Sequence, residues 1–98
     1  MTLKQIQEEV LANKKRHGFN TTNIEQEFCY LYGEVGEAYE AYYKGLPTFP
    51  EECADVALFL LGIAEIQGFN LEEEILKKLE KNKTRVYRIN EKGKPVQV

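Results

Sequence analysis

Ninety-eight residues leave room for one domain (1–98), and with 43% of them hydrophobic and 30% charged the chain is not the kind that stays disordered. A net charge of −3, with "KKR" at Lys14 to Arg16 as the one compact basic block, is too little positive charge for a protein held on nucleic acid by its phosphates. The longest apolar run, Val56 to Ala64, falls far short of the ~20 residues of a membrane span, so neither nucleic acid nor membrane is expected as a partner.

The N-terminal stretch "MTLKQIQEEVLANKKRHGF" carries charges throughout and has no apolar signal-peptide core, which predicts a cytoplasmic protein. Thr2, followed three residues later by Gln5, forms the pattern of a capping box, and Gly18 supplies a stop, so a first helix is expected over about 3–17. Thr22 with Glu25 opens a second over about 23–44, which Gly45 closes. Within it Ile24, Phe28, Leu31, Val35, Ala38 and Tyr42 alternate steps of four and three and draw one apolar stripe, with Glu34 and Glu37 on its flank.

Thr48 with Glu51 opens a third helix over about 49–67, closed by Gly68. Its "VALFLLGIA" is apolar on every side and must be covered on every side. A chain this short buries only about two thirds of its unfolded surface, so helices two and three are expected to pack against a second copy. Asn70 with Glu73 opens a fourth helix over about 71–84, and the tail 85–98, "RVYRINEKGKPVQV", reads as a short hairpin or ordered tail turning at Lys92-Gly93. Cys29 and Cys53 lack CxxC spacing and a neighbouring histidine cluster, and read as two reduced core thiols. The fold class is therefore all-α, four-helix and bundle-like, assembled as an oligomer.

Chemistry enters with four acids. Glu34 and Glu37, then Glu52 and Asp55, are two pairs spaced three apart, and each pair shares one helix face. Such a pair usually lies on a solvated face. Here both pairs adjoin the most apolar part of the chain, and a short loop lets their helices meet side by side. Oxygen donors alone suit Mg²⁺ or Mn²⁺; iron in such a bundle would want Glu-x-x-His, and the single histidine, His17, lies outside both pairs. Lys78, Asn82 and Arg85 share a face of the fourth helix and suit a phosphate, although a cationic helix end fits them as well. Lys77, Lys81 and Lys83 read as surface charge paired with Glu73, Glu74 and Glu80.

"GEVGEAYEA", "EECADVALFLL" and "KKLEKNKTR" together resemble the MazG-like all-α nucleoside triphosphate pyrophosphohydrolase superfamily, whose signature is EExxE, a spacer and ExxD, over roughly residues 20–88. The resemblance implies a Mg²⁺-dependent enzyme, with Mn²⁺ as substitute, that cleaves a (d)NTP to (d)NMP and pyrophosphate in nucleotide-pool house-cleaning. It implies Glu34, Glu37, Glu52 and Asp55 as metal ligands and Lys78, Asn82 and Arg85 on the phosphates. It also implies an intertwined homo-oligomer, a dimer or dimer of dimers. Gly33 stands where the full signature has its first Glu, as in the dCTP pyrophosphatase branch, which leaves the water-orienting carboxylate to Glu51 or Glu27.

Of the aromatics Phe19, Tyr30, Tyr39, Tyr43 and Phe49, most fit packing better than base stacking. The loop "HGFNTTN" is the expected wall for a base, with Phe19, Asn20 and Asn23 as its candidates. Two other readings stand beside this one: a phosphoribosyl-ATP pyrophosphatase on the same scaffold, and a helical dimerisation module without activity.

Overall fold

The computed structural model describes residues 1–98 as helices α1 (Leu3–His17), α2 (Ile24–Tyr43), α3 (Phe49–Gln67) and α4 (Leu71–Thr84), then strands β1 (Tyr87–Ile89) and β2 (Pro95–Gln97). The strands form an antiparallel hairpin in the register Tyr87↔Gln97, Arg88↔Val96 and Ile89↔Pro95. Its turn is held by Asn90 Oδ1, which accepts the amides of Lys92 and Lys94. The chain is all-α apart from this hairpin, and no single helix is long and apolar enough to cross a membrane.

Two helix starts are as the spacing predicts. Thr2 and Gln5 close a full capping box, and Asn70 Oδ1 accepts the Glu73 amide. Two differ. Asn23, not Thr22, caps α2, because Asn20 Oδ1 takes the amides of Thr22 and Asn23 and leaves Asn23 extended at the helix mouth, accepting from Gln26. Thr48 precedes α3 but makes no side-chain cap: its backbone is already helical (φ −80°, ψ −4°), and the Phe49 amide bonds back to Leu46.

A short loop joins α2 and α3 into the most extensively packed pair, α1 crosses α3, and α4 turns 109° away from α3 to pack on α1. The fully buried apolar residues are few: Ala38, Ala41, Leu61, Ile63 and Ala64. The buried seam of α2 keeps half of the apolar stripe of the sequence, Ile24, Leu31 and Ala38, and replaces Phe28, Val35 and Tyr42 by Glu27, Glu34 and Ala41, one position round the helix, so Glu27 and Glu34 lie in the buried seam. Phe28, Tyr32, Val35, Tyr39 and Tyr42, again four and three apart, stay exposed. The two faces share a helix, and only one can meet α3.

On α3 the side carrying Leu60 is likewise open, and α4 exposes Leu76 and Leu79 and buries nothing fully. The radius of gyration, 16.8 Å, compares with the roughly 13 Å of a compact chain of this size. Cys29 and Cys53 are free, as expected, but exposed rather than in the core, since neither position belongs to a buried seam. Gly62 lies where α3 meets α1: a methyl group there would come within 3.1 Å of Val10 Cγ1 and 3.4 Å of Lys14 Cε.

Candidate metal centre

The seams of α2 and α3 set Glu34 and Glu37 against Glu52, and the three offer carboxylate oxygens within 4.8 Å of one another. Asp55 stands outside this tight group, yet its charge acts on both Glu34 and Glu52. Glu34, Glu52 and Asp55 are half-buried and Glu37 is exposed. Oε2 of Glu34 and Oε2 of Glu52 are shielded from solvent and have no hydrogen-bond partner. Burial, and then the charges of Glu37 and Asp55, push both carboxyls above the ordinary 4.5, with Glu51 adding to the shift of Glu52. Orphaned carboxylate oxygens facing one volume, with neither His nor Cys among the donors, fit a hard divalent cation.

Beside the cluster, a cavity of about 480 Å³ opens between α1 and α3, with Asp55 at its edge. Ile6, Val10, Leu58 and Phe59 form its walls, Phe19 lines it as well, and Glu9, Asn13 and Lys14, with Asp55, form its polar part. Phe19 stacks on His17, ring centroids 5.5 Å apart. Lys14 is buried, paired with the wholly buried Glu27, and its ammonium lies 5.3 Å from the centre of the Phe59 ring.

Lys78 and Asn82 are exposed on α4, and Arg85 caps it, half-buried, with a shielded Nε that has no partner. Because α4 packs on α1 and not along α2 or α3, a single chain does not bring these residues to the acids. Lys77 and Lys83 pair with Glu74 and Glu80, as surface charges were expected to.

No protein-family model and no curated protein matches the chain. Among solved structures, the cyanophage S-2L MazG-like pyrophosphohydrolase bound to dGDP and three catalytic Mn²⁺ ions per active site superposes with a TM-score of 0.73. That likeness covers 100% of this chain and 98% of that one, at 23% sequence identity. The chain has the MazG-like fold. The coverage takes in the α4 arm and the hairpin, so both are part of the MazG-like fold here rather than appendages to it.

Within this MazG-like fold several residues hold positions the sequence did not suggest. Glu27 is no stand-in for the carboxylate missing at Gly33: one oxygen pairs with Lys14 and the other accepts Asn20 Nδ2 at 3.0 Å, which ties it to α1 and the loop. Glu51 is exposed next to Glu52. Gly33 has a negative φ, and a methyl group there would meet nothing within 4 Å, so packing does not demand the glycine. Of the three base-wall candidates, Phe19 lines the cavity; Asn20 and Asn23 are spent on the loop and the helix cap. Lys14 was missed because "KKR" reads as surface charge. The signal was its spacing from Gln7 and Val10, three and then four residues along the inner face of α1.

Proposed function

We propose that this chain is a divalent-metal-dependent nucleoside triphosphate pyrophosphohydrolase, converting a (d)NTP to the (d)NMP and pyrophosphate and so clearing nucleotides from the pool. The observation that carries the reading is the group of Glu34, Glu37 and Glu52, with two solvent-shielded carboxylate oxygens left without partners. A solvated helix face, as in a dimerisation module without activity, gives no reason for such oxygens to be shielded and unpaired. The fold shared with a MazG-like pyrophosphohydrolase that binds dGDP and Mn²⁺ ions supports the same reading.

In the proposed site Glu34, Glu37, Glu52 and Asp55 hold the metal. Bound Mg²⁺, or Mn²⁺ in its place, supplies neutralising charge to the phosphate oxygens and a water of lowered pKa. Glu51, exposed beside Glu52, would orient a water and take its proton as the water adds to a phosphorus of the α–β anhydride, the bridging P–O bond breaks, and the monophosphate and pyrophosphate separate. The base enters the cavity that opens at Asp55, whose volume is in the range of small-ligand sites.

The cations come from a second copy. We assign the exposed aromatic stripe of α2, the open side of α3 and the unburied α4 to a homo-oligomer, a dimer or dimer of dimers. In it the α4 arm of one chain brings Lys78, Asn82 and Arg85 to the phosphates held by another.

The test is a screen of common and modified (d)NTPs, with phosphoribosyl-ATP alongside, scoring pyrophosphate against orthophosphate with Mg²⁺ and with chelator. Pyrophosphate from a (d)NTP with Mg²⁺ alone is the expected result. Pyrophosphate release that survives removal of all metal sinks the reading, and turnover confined to phosphoribosyl-ATP replaces it.

A further inference from the structure

We propose that Lys14 reads the nucleobase, donating a hydrogen bond to an oxo group of the ring, so that oxo bases are preferred over adenine; this rests on the cavity beside Asp55 being the base site. Lys14 is only 8% exposed, an uncommon state for a lysine, and a buried ammonium needs both a counter-charge and acceptors. Glu27, 0% exposed, is the counter-charge, its Oε1 ion-paired with the ammonium. The other oxygen of Glu27 is held by Asn20, and the face of Phe59 lies 5.3 Å from the ammonium, so the head group is fixed on two sides. No other acceptor in the chain takes a hydrogen bond from Lys14, and its side chain lines the cavity. The chain thus presents a positioned, charged donor at the wall of an apolar slot.

A donor of this kind discriminates by chemistry. Guanine, hypoxanthine, thymine, uracil and cytosine each carry an exocyclic oxo group that accepts a hydrogen bond, whereas adenine carries no oxo group and has at its six-position an amine that would set donor against donor. Asn13 in the same wall, able both to donate and to accept, serves the neighbouring edge atom of any of these rings.

The test compares 2′-deoxyinosine with 2′-deoxyadenosine, which differ at the six-position, one oxo and one amino, and with it at N1, which carries a proton in the first and a lone pair in the second. Each is titrated into the full chain by NMR without metal. The expected result is roughly tenfold tighter binding of deoxyinosine, the worth of one hydrogen bond to a charged group, with shifts mapping to Val10, Leu58 and Phe59. In the double variant K14M/E27Q, which leaves no unpaired charge in the interior, the two nucleosides bind equally.

Equal or reversed preference in the unmodified chain overturns the proposal, as do shifts that miss the cavity, no binding of either nucleoside, or a preference that persists in the folded double variant. Should the double variant not fold, the preference and its mapping in the unmodified chain decide alone. Neither nucleoside carries a phosphate, so these outcomes are independent of the pyrophosphate assay, which judges the proposed activity by itself.

Discussion

The side-chain oxygen of Gln7 on α1 accepts the backbone N–H of Leu71, the first residue of α4, at 3.1 Å, while its amide nitrogen donates to the Phe69 carbonyl at 2.7 Å. One wholly buried side chain therefore satisfies both sides of the turn from which α4 departs. Gln7→Leu removes both bonds, and a third from the same amide to Glu65, and leaves a part-buried N–H and C=O to find water, a loss of about 1 kcal/mol for each bond. Denaturant unfolding checks the stability, and far-UV circular dichroism at partial denaturation should show helix lost first. A Gln7→Leu protein as stable as the parent would remove this role.

The acid cluster makes the metal-free protein sensitive to pH in a definite direction. Glu34 and Glu52 are held above the ordinary carboxyl value, first by burial and then by the charges of Glu37 and Asp55. The folded state therefore binds their protons more tightly than the unfolded chain does. Their stabilising contribution is complete below the unfolded value of about 4.5 and is lost as pH rises through the raised folded values. Without divalent cations, the unfolding temperature of the parent should fall from mildly acidic to neutral pH relative to that of a Glu34→Gln/Glu52→Gln variant. Parallel profiles for the two proteins would contradict the assignment.

Divalent metal should reverse that loss. At a free Mg²⁺ or Mn²⁺ concentration a hundredfold above the dissociation constant, native-state binding adds about 2.7 kcal/mol. Thermal shift with and without chelator measures it at neutral pH, and the gain should shrink toward acid as the carboxylates protonate.

Turnover separates the roles of the charged residues. Glu37→Gln and Asp55→Asn should each lower kcat by at least about a hundredfold with the fold retained, because each removes one of the carboxylates assigned to the metal. Lys78→Ala and Arg85→Ala should leave metal binding intact and raise KM for the triphosphate. Full turnover in Glu37→Gln and Asp55→Asn would show that the catalytic metal lies elsewhere.

The exposed stripe of α2 makes a prediction about mass. Light scattering on the eluting protein should give a dimer or tetramer, and Val35→Glu with Tyr39→Glu, two charges set on that stripe, should give a monomer. The monomer should still bind Mn²⁺, whose proposed ligands come from one chain, and should lose turnover, whose cations are proposed to come from another. A monomeric parent that is fully active would overturn the shared site.

The helices were legible in the sequence, because caps and stops are local chemistry: Thr2 and Gly18 bound α1, Asn70 starts α4 and Gly68 ends α3, while α3 begins after Thr48 without the cap bond its spacing suggested. The face of α2 that meets α3 was not. Periodicity finds an apolar stripe, and here Phe28 and Val35 belong to one seam while Glu34 belongs to the neighbouring one. The spacing of the acids pointed to a site, and three of them do converge. The direction of α4, and the partners of Lys14 and Glu27, depend on contacts between distant parts of the chain that no local pattern encodes.

Gly62 sets the distance between two helices by what it lacks. Its absent methyl lets α1 settle against α3 and fixes the path of the Lys14 carbon chain, yet it lies behind the cavity wall and touches no ligand. An alanine there would keep every carboxylate and every cavity residue while pushing Val10 and Lys14 outward. The shape of the cavity thus depends on a residue outside its lining, and, if the cavity takes the base as proposed, comparing the lining residues of two chains alone would miss it.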